Sequence, residues 1–232
     1  MIQPDLELDL ELAVVLTHRN QSQTLWTCLK SLWDSKVCPR IILIDDASDE
    51  RPPIPPWYVD TYDQLKSQRG VQHCRNQGFK KVLEQSETEY VLFCDADIEW
   101  RTDALDFMLY ILKKLPNDVG YVYCDYERIG ALHETWRAGV FDPDRLRQDN
   151  FISTMSMCRV SALPNPPFIE DEERFQDWSL WLRLLNAGYR GVYIPRILFT
   201  AYYGNNDVSL KGIEHCNHWK EKIRSRYAHS HL

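Results

Sequence analysis

The sequence predicts a single α/β domain built on a mixed, mostly parallel sheet with helices on its faces. Three observations carry this expectation. Short unbroken apolar runs alternate with segments of helical periodicity, three of those runs end in polar residues, and 232 residues at 44% hydrophobic suffice for one substantial core but are tight for two.

Leu12-Ala13-Val14-Val15-Leu16 has no polar interruption, as expected of a strand covered on both faces, and it ends in Thr17-His18-Arg19-Asn20. Leu25, Trp26, Leu29, Leu32 and Trp33 then recur at helical spacing, with Asn20 or Ser22 placed to cap that helix. Ile41-Ile42-Leu43-Ile44 makes a second buried strand running into Asp45-Asp46 and completes one βαβ unit. Pro52, Pro53, Pro55 and Pro56 forbid regular structure locally, and because patterned sequence soon resumes they mark a loop, not a domain linker.

Arg75-Asn76-Gln77-Gly78 leads into a helix with Phe79, Val82 and Leu83 on one side, and Tyr90-Val91-Leu92-Phe93 makes a third buried strand ending at Asp95. Asp103 is placed to cap a helix over 104–115, Pro116-Asn117-Asp118 stops it, and Val119-Gly120-Tyr121-Val122-Tyr123 resumes strand character. The second half is less regular. Residues 126–139 are polar and aromatic, 155–160 fit a strand, and Pro164, Pro166 and Pro167 enforce a loop. A strong amphipathic helix is expected over 171–186, with Trp178, Trp181, Leu182 and Leu185 as its stripe and Gly188 as its stop. Val192-Tyr193-Ile194 follows as a strand, and 211–232 read as a charged helix with a frayed end.

A net charge of −7 and a pI near 5.5 leave no basic face for a nucleic-acid backbone. Seven widely spaced cysteines, without a Cys-x-x-Cys pair, suit reduced thiols. The acidic start lacks a signal-peptide pattern, and no apolar run approaches the ~20 residues that span a bilayer. The chain therefore reads as cytoplasmic, either free or peripheral to a membrane.

Ligands of doubly wound sheets sit beyond the carboxyl ends of the strands, and here three strand ends carry Thr17 with Arg19, Asp45 with Asp46, and Asp95 with Asp97. In extended chain, Asp95 and Asp97 point to one side while Ala96 turns away. Such a pair suits a hard cation of the Mg²⁺ or Mn²⁺ kind, whose shell is completed by waters and phosphate oxygens. Neither a Gly-x-x-x-x-Gly-Lys loop nor a Gly-x-Gly-x-x-Gly turn is present, which disfavours P-loop and dinucleotide folds. Asp177, near the start of the amphipathic helix, is placed either to face a pocket or to serve as one of several helix-dipole carboxylates beside Glu170, Asp171, Glu172 and Glu173.

Taken in order, Val15-Leu16-Thr17-His18-Arg19-Asn20, Leu43-Ile44-Asp45-Asp46-Ala47-Ser48, Arg75-Asn76-Gln77-Gly78, Phe93-Cys94-Asp95-Ala96-Asp97 and Gln176-Asp177-Trp178 resemble the inverting glycosyltransferases of family 2, which have the GT-A fold. Val122-Tyr123-Cys124-Asp125-Tyr126 and Asn150-Phe151-Ile152-Ser153-Thr154 resemble the stretch between donor site and base in bacterial members. The resemblance implies one GT-A domain over 1–232, with a nucleotide-sugar-binding half at about 10–125, an acceptor and catalytic-base half at about 126–205, and a helical tail at 206–232. It implies that Thr17, Arg19, Asp46 and Arg75 bind the nucleotide and that Asp95 contacts ribose or metal. Asp97 would ligate the Mn²⁺ or Mg²⁺ and Asp177 would act as the general base. The implied donor is a UDP-, GDP- or dTDP-sugar, and the acceptor a glycan or lipid-linked sugar. Gln176 stands where the family has Glu, Arg19 where an aromatic residue often precedes Asn, and 203–209 lack the histidine that can reach the metal.

A sugar-1-phosphate nucleotidyltransferase would be expected to place a Gly-rich loop after the first strand, and a haloacid-dehalogenase-type phosphatase an Asp-x-Asp at its first strand. A third alternative is a non-catalytic GT-A-like binding module, with Gln176 marking a decayed site. His215, Cys216, His218, His229 and His231 match no structural zinc spacing and read as surface residues. Trp57 and Trp136 are expected to pack in core or loop, with sugar stacking the less favoured role.

Overall fold

The computed structural model describes residues 9–131, 133–204 and 213–227. Four parallel strands form one side of the sheet: β1 (Asp9–His18), β2 (Pro39–Asp45), β3 (Thr61–Gln64) and β4 (Tyr90–Asp95). The other side is mixed. It holds β5 (Ile98–Trp100), β6 (Val119–Gly130), β7 (Glu134–Trp136), β8 (Met157–Arg159) and β9 (Arg190–Tyr203). Strand order is β3-β2-β1-β4-β8-β6-β9-β5, with β7 folded back on β6. The short β8 runs antiparallel to both β4 and β6 and joins the two sides.

Alternation along the strands divides the core. From β1, Leu12, Val14 and Leu16 pack under α1 (Ser22–Trp33) and α3 (Ala104–Lys114). Ala13 and Val15 pack under α2 (Val71–Leu83) and α5 (Gln176–Asn186), with α4 (Pro143–Gln148) and α6 (Ile213–Tyr227) beyond. On β4, Val91 and Phe93 share that second face. Thr17 and Asp95, continuing the parity, therefore end their strands on the α2 and α5 side. The fully buried Trp178 and Trp181 fill this second core, where truncating either to Ala would cost about 3–5 kcal/mol.

Several local expectations are corrected. Neither Asn20 nor Ser22 caps α1 through its side chain; the cap position is Gln21, and Asn20 instead ties to the loop after β2. Arg75 lies inside α2, which already begins at Val71. Asp103 makes no side-chain cap and pairs with Arg196. Helix α5 starts at Gln176, five residues later than its acidic approach suggests, because Phe175 takes a left-handed conformation with φ of 58°. The polar and aromatic stretch after Tyr126 continues β6 and returns as β7, and Val192-Tyr193-Ile194 is the start of a 14-residue strand. The chain turns at Ala96 and Asp97, so the extended geometry assumed for the two aspartates does not hold.

Trp136 packs as expected, its indole donating to the Phe151 carbonyl, whereas Trp57 is 69% exposed. None of the seven cysteines is in a disulfide. No helix among the described residues is long and apolar enough to cross a membrane. His229, His231 and residues 205–212 lie outside the described residues.

Candidate active site

The carboxyl ends of β1 and β4 meet at Asp95. Thr17 Oγ1 donates to Asp95 Oδ1 at 3.1 Å, and Arg75 Nη2 donates to both carboxylate oxygens at 2.7 and 2.9 Å. Arg75 is only 2% exposed and its guanidinium lies 5.2 Å over the Phe168 ring. Its Nε and Nη1 are buried without a hydrogen-bond partner. A guanidinium has five donors, and burying them unpaired is costly, so these two nitrogens leave hydrogen-bonding capacity unused.

Asp46 is placed differently. Its two oxygens accept from the backbone amides of Arg69 and Gly70 at 2.6 and 2.9 Å, fastening the entry of α2 to the end of β2. Asp45 accepts from Ser48 N at 2.7 Å and from the Tyr62 hydroxyl at 2.8 Å. Asn20 exchanges hydrogen bonds with Asp49, joining the loops after β1 and β2, and Arg19 is exposed beside it. His18 is buried with both ring nitrogens unpartnered, and burial holds its pKa below the ordinary value against the charge of Asp45. Sequence reading assigned it no role.

Among the described residues, three non-glycine residues have positive φ: Asn20 after β1, Ala47 after β2 and Phe175 before α5. All three adjoin the candidate residues. Such conformations cost ~1–3 kcal/mol each and concentrate where a site must be held in shape.

Asp97 is half-buried at the turn between β4 and β5, and its carbonyl accepts from Tyr202 N at 2.9 Å. The turn thus docks on the end of β9. Burial raises the Tyr203 hydroxyl pKa well above its ordinary value, with the neighbouring Tyr126 and, more weakly, Asp97 acting the same way.

Asp177 stands in the first turn of α5. Trp178 N donates to its Oδ1 at 2.8 Å, and Asn150 Nδ2 donates to its Oδ2 at 2.9 Å. Burial lifts the carboxyl above the ordinary aspartate range, opposed by the Trp178 amide, the charge of Arg75 and the Asn150 amide. Arg75 therefore touches Asp95 directly and reaches Asp177 through its field. Thr17, Arg75 and Asp95 form one bonded group, the charge of Arg75 also acts on Asp177, and Asp46 holds the entry of α2. Asn150 was missed as a partner of Asp177; it lies in an irregular stretch with no periodic signal.

The chemistry on offer is a hydroxyl, an under-satisfied arginine, a half-buried carboxylate at Asp97 and, at Asp177, a carboxylate whose pKa burial raises. Among the described residues no three His, Cys, Asp or Glu side chains cluster to hold a metal by themselves. The half-buried Asp97 carboxylate is of the chemical type that holds a hard cation. Asp95 is already ion-paired to Arg75.

The sheet order, with parallel strands on one side and β8 leading to a mixed side, defines an α/β protein of the GT-A class. The model for "Glycosyl transferase family 2" matches residues 13–163, and the chain belongs to that family. Among curated proteins, a teichoic acid poly(glycerol phosphate) polymerase of Staphylococcus epidermidis is 25% identical, over 83% of this chain and 28% of its own length. S. aureus TarS 1-349 in complex with UDP-GlcNAc superposes with a TM-score of 0.71 at 14% identity, covering 95% of this chain and 72% of that one. Another structure of the same fragment matches at 0.68 and 17%, covering 83% of this chain and 60% of that one. A mannosyltransferase from Pyrobaculum calidifontis, in complex with GDP-Man and Mn²⁺, matches at 0.62 and 17%, covering 97% and 64%. The chain thus spans about a quarter of the curated relative and, depending on the structure, 60% or 72% of the TarS fragment.

Proposed function

We propose that the protein is a metal-dependent inverting glycosyltransferase. It moves a sugar from a UDP-, GDP- or dTDP-sugar to a hydroxyl of a glycan or lipid-linked acceptor. The observation that supports this reading is that buried Arg75 is bonded to Asp95 and its charge also acts on Asp177. Family membership and neighbours solved with UDP-GlcNAc and with GDP-Man support the donor class.

Thr17 and Arg19 flank the nucleoside, and Asp46 keeps the loop beneath it in place. Asp95, its charge balanced by Arg75, accepts from ribose hydroxyls more readily than it gives up that partner for a cation. The unpaired nitrogens of Arg75 donate to oxygens of the bound nucleotide. Asp97 would hold the Mn²⁺ or Mg²⁺ together with the diphosphate, and the bound ion supplies positive charge against the departing nucleoside diphosphate. On the opposite side Asp177 accepts the proton of the acceptor hydroxyl as it attacks the anomeric carbon. A single in-line displacement inverts that carbon and needs no protein nucleophile. Such a base works best with a pKa lifted toward the working pH, which is the direction burial gives Asp177.

A thermal-shift panel of UDP, GDP and dTDP, each with and without Mn²⁺, tests the donor site, because a ligand that binds only the folded chain raises its melting temperature. One nucleotide should stabilise the wild type strongly with Mn²⁺, and Asp97→Ala should lose the metal-dependent part of that shift. Absence of any nucleotide effect, with or without Mn²⁺, would rule the reading out.

A further inference from the structure

The segment that ends α4 and continues through Ile152 looks irregular in sequence, yet side chains from other elements fasten it at several points. Trp178 Nε1 donates to the Leu146 carbonyl at 2.6 Å, Trp136 Nε1 to Phe151 at 3.2 Å and Trp181 Nε1 to Ile152 at 3.1 Å. From α6, Arg224 Nε donates to the Gln148 carbonyl at 2.8 Å, and Lys220 Nζ pairs with the Asp149 carboxylate at 2.7 Å. Three indoles and two cations from other elements thus hold five of the seven residues from the last turn of α4 to Ile152.

Asn150 sits in the middle of this fastened segment. Its Oδ1 accepts from Ile152 N at 3.1 Å, which fixes the amide orientation and leaves Nδ2 to donate to Asp177 Oδ2 at 2.9 Å. With Trp178 N on the other oxygen, both Asp177 oxygens are held, and the plane of the carboxylate is set by Asn150.

We propose that Asn150 is a positioning residue that orients the Asp177 carboxylate toward the acceptor hydroxyl, and that α6 secures it through Lys220 and Arg224. This rests on the assignment of Asp177 as base. Among the described residues, Arg75 from α2 and Tyr126 from β6 also interact electrostatically with Asp177. Neither contacts Asn150 in the hydrogen bonds above, so a change at Asn150 leaves their fields in place.

The test follows release of nucleoside diphosphate from UDP-GlcNAc or GDP-Man, whichever binds, alongside ¹³C NMR titration of the aspartate carboxyls. The Asp177 signal is identified by its absence in Asp177→Asn. Asn150→Ala should lower kcat about 10-fold with donor affinity within threefold, and should move the Asp177 titration upward because a donor to the charged form is lost. Asn150→Asp keeps the side-chain shape, places like charge beside Asp177, and should have a larger effect in the same direction. In the Asp177→Asn background, Asn150→Ala should add no more than a twofold loss. An unmoved Asp177 titration, or turnover within twofold of wild type in both Asn150 variants, overturns the proposal. Full turnover in Asp177→Asn itself would instead remove the base assignment, a result distinct from failure at Asn150.

Discussion

At the residue scale, Asp177 shows how one carboxyl is tuned by its surroundings. Burial favours the neutral acid, while the Trp178 amide, Arg75 and Asn150 favour the carboxylate, and burial is the larger influence. A general base works only when deprotonated, so kcat/KM should fall as pH drops through the raised pKa, and that acid limb should lie above the ordinary aspartate value of 3.8. A pH-rate profile with its acid limb at or below that value contradicts the tuning. Asp95, Asp97 and Asp177 were visible in the sequence because strand and helix ends mark them. The partners were not. Asn150 lies 27 residues from Asp177 and Thr17 lies 78 from Asp95, and no local pattern reports such contacts. Asp46 was legible as a strand-end acid, but its binding by amides 23 and 24 residues onward was hidden.

At the scale of elements, helix α2 lies close on β1 because Gly78 has no side chain. A Cβ there would come within 2.2 Å of Val15 Cγ1. Gly78→Ala should therefore destabilise the fold by about 1–3 kcal/mol, and Val15→Ala in that background should return part of the loss, measured by urea unfolding. Additive losses in the double variant would show that the two residues do not meet. The apolar periodicity of α1, α3 and α5 was readable, as were the unbroken runs of β1, β2 and β4, because each buries a continuous stripe. The true start of α5 was not. Glu172, counted among its first-turn acids, is instead buried against Ser179 and Arg226 ahead of the helix. Strands β6 and β9 also exceed their apolar cores, since their ends are held by pairing with each other and not by hydrophobic content.

At the scale of the molecule, two differently built sides of one sheet meet at β4 and β8. The parallel side brings Thr17 and Asp95 together by the parity of its strands, α2 on that face adds Arg75, and the mixed side carries Asp177 on a helix over the same face. Family membership was legible from the order of five motifs, and the family match over 13–163 agrees with it. The topology of the second side was not legible, because antiparallel insertion of a three-residue strand depends on non-local pairing. The central claim is that Asp177 takes the acceptor proton, and turnover of Asp177→Asn tests it most directly. Release of nucleoside diphosphate from the bound sugar donor should fall at least about a thousandfold while donor affinity stays within threefold. Turnover within tenfold of the wild type, at equal affinity, would contradict it.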